Sequence, residues 1–281
     1  MGFSEQRAAF RRLLAGDGCV HPASVFDPAS ARIAEDLGFA CAILAGSTAA
    51  LAVLGSPDNV TLTLSEFEGL IARIKRAADI PLLVDADHGY GNALSVMRTV
   101  VELERAGVSA MTIEDTDLPQ PYGLSKPVLV SREEGLGKVR AALAARRDAG
   151  LVVVGRTSAV SIAGVDEAVA RAHLYTDAGA DALFYTGVST LEQLQTLHAA
   201  SALPIILGGS TLSDMAALRA HGVRVALVGH QPIQAAFQAV YATMLALRDG
   251  QPLPTLADSR LVGVVTRAAD YDAAAKAFLG V

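Results

Sequence analysis

The sequence predicts an α/β protein, a (β/α)8 TIM-type barrel with an extra helical segment at its C-terminal end. Three observations predict it. About eight short β-branched or aliphatic runs alternate with amphipathic segments along nearly the whole chain. Those runs are apolar throughout, as strands are when helices cover a parallel sheet. The length, 281 residues, suits one barrel domain, and no linker or shift of composition divides it.

The opening stretch, MGFSEQRAAFRRLLAGDG, reads as an amphipathic helix without the apolar core and cleavage site of a secretory signal. The strands follow as Val20–Phe26, Cys41–Ala45, Pro81–Asp85, Ala110–Glu114, Leu151–Arg156, Asp181–Tyr185, Pro204–Leu207 and Arg224–Val228. Asp27-Pro28 places an N-cap acid before a proline at the first helical position, and Gly38 follows as a stop. Thr63–Glu66, Ser131–Glu134 and Ser189–Glu192 each fit a capping box. Ala-Gly pairs at Ala106-Gly107, Ala149-Gly150 and Ala178-Gly179 mark helix ends. Two stretches break the pattern. Asp117–Val130, DLPQPYGLSKPVLV, is long for a strand-to-helix loop and reads as a lid. From about Gln231 to Val281 two helical segments follow the last strand, more than a barrel needs, which suggests an oligomer contact.

Composition narrows the function. Just over half the residues are hydrophobic, yet no apolar run reaches the roughly 18 residues of a membrane span. A net charge of −6 with no basic run lacks the footprint of a nucleic-acid binder. Cys19 and Cys41 lie in apolar runs and read as buried free thiols, as expected in the cytoplasm. No G-x-G-x-x-G follows the first strand, which weakens a dinucleotide-binding reading.

In such a barrel the chemistry sits at the C-terminal ends of the strands. There the sequence offers Gly46-Ser47, Asp58, the run DADHGYGN from Asp85, Glu114-Asp115, Arg156, Tyr185 and His230. Asp58, Asp85, Asp87 and Glu114 share one rim, and like charges so placed call for a cation or a shared proton. Oxygen-only ligation favours Mg²⁺ or Mn²⁺ over Zn²⁺. Arg156 closes a buried strand and needs an anion, either a protein acid or a substrate carboxylate clamped bidentately. Gly46 and Ser47 open a helix whose N–H groups suit an anionic oxygen. His88 and His230 are placed to donate into the site.

The segments SVFDPASARIAEDLGF, LTLSEF, DADHGYGNALSVMRTVVELERAGVSAMTIED and GRTSA resemble the isocitrate lyase/phosphoenolpyruvate mutase superfamily over about residues 10–248. Within it, the PD…LTLSEF, DADHGYGNAL and GVRV…GH patterns are similar to the bacterial oxaloacetate decarboxylase branch. The resemblance implies a barrel whose eighth helix is exchanged with a neighbour in a dimer of dimers, a homotetramer. It implies Mg²⁺ bound directly by Asp85 and through water by Asp58, Asp87 and Glu114. Ser47 and Arg156 would hold the substrate carboxylate, and His230 matches a histidine of the decarboxylase site. Three departures matter. The superfamily's lyases carry a cysteine in the gating loop, and its phosphonomutases an asparagine-rich loop; here that region reads LPQPYGLSKP. ILGGSTLS and ALFYTGV also differ from the decarboxylase pattern.

The expectation is therefore Mg²⁺-dependent decarboxylation of oxaloacetate, or a close 2-oxo diacid, to pyruvate through an enolate. Asp58, Arg156 and His230 would be catalytic. Gly46, Ser47, Asp85 and Tyr185 would contact substrate, and the final proton would come from solvent or be relayed by His230 or Tyr185. The rivals are a lyase acting on a substituted malate, a phosphonopyruvate hydrolase or mutase, and an idle barrel that only binds a 2-oxo acid.

Overall fold

A computed structural model of the chain describes residues 1–280. Eight strands form one parallel sheet in chain order, β1 to β8. They are β1 Ala23–Ser24, β2 Ala42–Leu44, β3 Leu82–Asp85, β4 Ala110–Glu114, β5 Val152–Thr157, β6 Ala182–Thr186, β7 Ile205–Gly208 and β8 Val223–Ala226. The sheet curls until its edges meet. Val20, just before β1, donates its N–H to the Arg224 carbonyl at 3.0 Å and accepts from Ala226 N–H at 2.9 Å. This single bridge closes the ring. The first strand is thus much shorter than Val20–Phe26, Ala110–Glu114 keeps its expected bounds, and the others shift by a residue or two at their ends.

Period-two alternation sorts each strand between two layers. Ile43, Leu83, Val152, Val154, Ala182, Phe184 and Ile206 fill the barrel interior. Leu44, Leu82, Val84, Met111, Ile113 and Val153 face the surrounding helices, as do Leu183, Tyr185 and Leu207. Interior and helix-facing positions are both apolar, which is why the strands read as continuous runs.

Helices come between and around the strands. α1 Phe3–Ala15 plugs the N-terminal end of the barrel by inserting Phe10 and Leu14 into the interior layer. α2 Pro28–Asp36, α3 Gly46–Leu54 and α4 Leu64–Ala77 follow. Then come α5 Ala93–Ala106, α6 Arg132–Ala145, the single turn α7 Ala159–Ile162, α8 Val165–Ala178, α9 Leu191–Ala200 and α10 Met215–Ala220. Asp27 caps α2 by accepting from Ser30 N–H, and Thr63 and Glu66 form the full box at the head of α4. Ser131 accepts from Glu134 N–H in half of the predicted box. The third box moves one residue on, to Thr190 and Gln193, because Gln193 gathers the Ser189 and Thr190 N–H groups. Gly107 and Gly179 end their helices in the left-handed region. Gly150 does not, since α6 stops at Ala145.

Beyond β8 stand three helices rather than two: α11 Gln231–Arg248, α12 Ser259–Thr266 and α13 Ala268–Phe278. α11 leaves the barrel, burying only Ile233 and Ala246, while Phe237, Val240, Tyr241, Met244 and Leu247 remain exposed along one stripe. Where a helix would normally lie against α2, an apolar groove of about 600 Å³ runs past Ile33, Leu37, Phe39 and Pro232. Cys41 is buried, but Cys19 is only half-buried. No helix among the described residues is long and apolar enough to cross a membrane.

Candidate active site

The acidic residues reach the barrel mouth by strand parity. Asp85 ends β3 pointing inward; Asp87, two residues on, and Glu114, ending β4, point the same way. With Asp58, from the connection after α3, and Arg156, from β5, they line a cavity of about 290 Å³. That is at the small end of ligand pockets, which run from about 300 to 1,000 Å³. Thr116, Leu118, Pro127, Ser158, Ser161 and Ile162 form the rest of its wall with Val60.

The turn after β3 is strained where it carries function. Asp87 has φ of 47° and Tyr90 has φ of 61°, both in the left-handed region that non-glycine residues avoid. Gly46 stands against the Asp87 carboxylate so closely that a Cβ there would lie 2.8 and 2.9 Å from its two oxygens. The N-terminus of α3 therefore meets the protein's own acid. Ser47, next along the helix, does not line the cavity.

Arg156 is held from three sides. Its Nη1 donates to Asp85, its Nη2 lies 3.7 Å from Glu114, and its guanidinium carbon sits 5.3 Å from the centre of the Phe184 ring. Its Nε is buried and unpartnered. Burial opposes its charge, but Asp85 and Glu114 more than offset this and raise its pKa above the usual value. The other oxygen of Asp85 accepts from Thr112 Oγ1 at 2.8 Å and from Asp87 N–H at 3.2 Å. Glu114 accepts from Thr116 Oγ1 at 2.8 Å.

One arginine does not balance four acids. Burial and then Asp85 push the pKa of Asp87 well up, with Glu114 adding to it. Burial also raises Glu114 against the pull of Arg156, and burial with Asp85 raises Asp58. The cluster is short of positive charge. Among the described residues no three acid, histidine or cysteine side chains converge as a ready-made set of direct ligands. Such a layout suits a hard cation that keeps most of its waters.

The remaining candidates divide. His230, at the N-cap of α11, shares a 2.9 Å hydrogen bond through Nδ1 with Ser24 Oγ of β1. Burial lowers its pKa against the fields of Asp85 and Asp58, and it stands outside the residues that line the cavity. His88 is buried with its Nδ1 unpartnered and does not reach the cavity. Tyr185 is a correction. It is fully buried in the layer between sheet and helices, its hydroxyl unpaired, because the odd positions of β6 face outward. From that strand it is Phe184 and Thr186 that face inward. Ser158 stands with Arg156 and Thr157 at the end of the fifth strand, as the sequence places it, but it had no role assigned. Sequence reasoning passed over Ser24 and Thr112; counting in twos back from Glu114 would have found the second.

The predicted lid, residues 117–130, contributes Leu118 and Pro127 to the wall. Its stems are tied together. Thr116 bridges Leu129, Asp117 N–H donates to the Val128 carbonyl, and Val130 N–H donates to the Asp115 carbonyl at 2.9 Å. Buried Asp115 in turn accepts from Arg171 at 3.0 Å and Tyr175 at 2.6 Å, while Arg171 also donates to the Val130 carbonyl at 2.8 Å.

Comparison with known proteins gives a consistent result. Residues 10–248 match the family described as phosphoenolpyruvate phosphomutase. An oxaloacetate decarboxylase of Bradyrhizobium sp. (strain ORS 278) is 52% identical over 285 residues, covering 100% of this chain and 99% of the relative. An oxaloacetate acetylhydrolase solved with the inhibitor 3,3-difluorooxalacetate superposes with a TM-score of 0.87 at 31% identity, covering 98% of both chains. A phosphonopyruvate hydrolase solved with oxalate and Mg²⁺ gives 0.85 at 28% identity, covering 99% of both.

Proposed function

Because the chain belongs to the phosphoenolpyruvate phosphomutase family, within the isocitrate lyase superfamily, we propose that it is a carboxy-lyase converting oxaloacetate to pyruvate and CO₂. The observation that carries the reading is a small cavity at the barrel mouth in which four carboxylates surround one arginine. The whole-length likeness to an oxaloacetate decarboxylase supports the substrate.

The residues fit a divalent metal. The donors are all oxygen, and the raised carboxylates of Asp87 and Glu114 mark a deficit of positive charge. Asp85 would hold Mg²⁺, or Mn²⁺, directly, with Asp58, Asp87 and Glu114 reaching it through water. When bound, such an ion supplies Lewis-acid polarisation of the 2-oxo group.

The chain's own residues do the rest. Arg156 orients the carboxylate beside the 2-oxo group through its planar fork, which is freed as Asp85 is neutralised. The N-terminus of α3, at Gly46 and Ser47, lies against the Asp87 carboxylate and acts on that acid rather than on the substrate. Leu118 and Pro127 exclude water from above. The C3–C4 bond breaks, CO₂ departs, and the electron pair passes into the C2 carbonyl as an enolate. No base is needed to start. C3 then takes up a proton from solvent, either directly or relayed by His230, which passes one on from one ring nitrogen as it takes one up at the other, where Nδ1 meets Ser24; Tyr185 is out of reach.

The same reading covers the assembly. The chain is one barrel domain, residues 1–281, with its extension from about residue 231. It forms a homotetramer in which α11 of one copy lies in the groove beside α2 of another; the exposed stripe and the apolar groove support that exchange. The acidic net charge and free thiols support a cytoplasmic enzyme of small anions, with no nucleic-acid or membrane partner.

Pyruvate formation from oxaloacetate, with Mg²⁺ and with excess chelator, tests the reading against a boiled-enzyme control. Saturable turnover lost on chelation is expected. A rate no higher than the control would sink it.

A further inference from the structure

The cavity has two unlike ends. One, over β3 and β4, holds the acids. The other, past the end of β5, is built from Ser158, Ser161 and Ile162; Arg156 rises from the same strand but turns its Nη atoms onto Asp85 and Glu114. Thr186 Oγ1 donates to Ser158 Oγ at 2.8 Å, so the Ser158 proton is left to point elsewhere. Ser161 Oγ donates to the Ser158 carbonyl at 3.0 Å, which fixes the turn of α7. Gly187, with φ of 76°, lets β6 approach that turn: a Cβ there would lie 2.8 Å from Ser161 Cβ. These hydroxyls are therefore positioned, and Arg156, the only cation in the wall, is engaged by Asp85 and Glu114 at the opposite end.

We propose that Ser158, oriented by Thr186, is the specificity-determining donor for the carboxylate that leaves, in a subsite kept free of cations so that this group binds without charge neutralisation. The inference rests on the decarboxylation reading and adds to it the chemistry of the far end. On breakage of C3–C4 the electron pair moves from the carboxylate at the hydroxyl end to the oxygen at the C2 end, and CO₂ leaves neutral. The negative charge travels from a place with only neutral donors to one with Arg156. Interactions that improve along that path lower the barrier, whereas a cation at Ser158 would stabilise the starting diacid instead. The same absence disfavours a phosphonate dianion, which needs more positive charge than a carboxylate.

The test uses binding as well as turnover, on the Mg²⁺-loaded full chain. Oxalate is a two-carbon dianion that occupies only the acid end. L-malate spans both ends but cannot decarboxylate, because its 2-hydroxyl accepts no electron pair. Calorimetry should show S158A and T186V weakening malate by about fivefold to tenfold while oxalate stays within about twofold. Their KM for oxaloacetate should rise in parallel with malate. S158K should bind malate more tightly yet lower kcat by about tenfold or more, with oxalate again unchanged as the check on folding. Unaltered malate affinity in S158A, or an unchanged or higher kcat in S158K, would overturn the proposal. If the wild type fails to turn over oxaloacetate, the decarboxylation reading falls, and the malate-to-oxalate ratio still decides whether Ser158 serves a second carboxylate.

Discussion

His88 follows Asp87 in the acidic turn, but it is buried with an unpartnered Nδ1. Burial, then the nearby charge of Lys138, takes its pKa down to about 4 against the pull of Asp117. Above its ordinary value of about 6.5 neither the folded nor the unfolded chain holds the proton. Below that, the unfolded chain takes it up first, so stability falls with pH until about 4. The loss amounts to at most about 3 kcal/mol over the window. Asp87 and Glu114 carry the opposite sign, since raised carboxylates gain stability as pH falls. The difference between wild type and H88Q isolates the histidine. Urea unfolding from pH 7 to 4 should show that difference shrinking by up to about 3 kcal/mol, and a constant difference would show His88 to be protonated without penalty.

At the scale of elements, the lid stems depend on one buried ion pair. Asp115 and Arg171 are almost inaccessible, and Arg171 reaches from α8 to the Val130 carbonyl as well. R171M would leave Asp115 buried with only Tyr175 for a partner, at a cost of about 3–5 kcal/mol. Unfolding should register that loss, and limited proteolysis should show faster cleavage within residues 117–130 in the variant. An equal cleavage rate would mean that the stems hold without Arg171. The elements were largely legible beforehand, because caps such as Asp27 and Thr63 act over three residues and strands such as Ala110–Glu114 are bounded by charge. Parity was not. Whether Tyr185 or its neighbours face the cavity depends on which residue pairs across the sheet, here Tyr185 with Leu207, and a one-residue change reverses the answer. Asp58 was legible as an acid, but only folding brings the connection after α3 back over β3.

At the scale of the whole molecule, α11 and the groove beside α2 are complementary surfaces left open on one chain. The stripe of Phe237, Val240, Tyr241, Met244 and Leu247 exceeds what a lone surface helix ordinarily shows to water. Placing charge in its middle, as F237E together with Y241E, should reduce the proposed tetramer to smaller species in light scattering and lower the melting temperature by several degrees. An unchanged mass would mean that this face does not hold the assembly.

The ring is closed at one place, where Val20 meets β8 through two hydrogen bonds. Every other strand pair joins neighbours in sequence, whereas this seam joins residues roughly 200 positions apart. Closing so long a loop costs about 2 kcal/mol more in chain entropy than closing a neighbouring pair. Folding should therefore complete an arc from β1 to β8 first and shut it last. The acids and Arg156, all carried by that arc or its connections, would then be together before the barrel is whole. The contact between Ser24 and His230, which straddles the seam, would be among the last to form. The charged half of the site is thus set by local folding, and its histidine arrives only with closure.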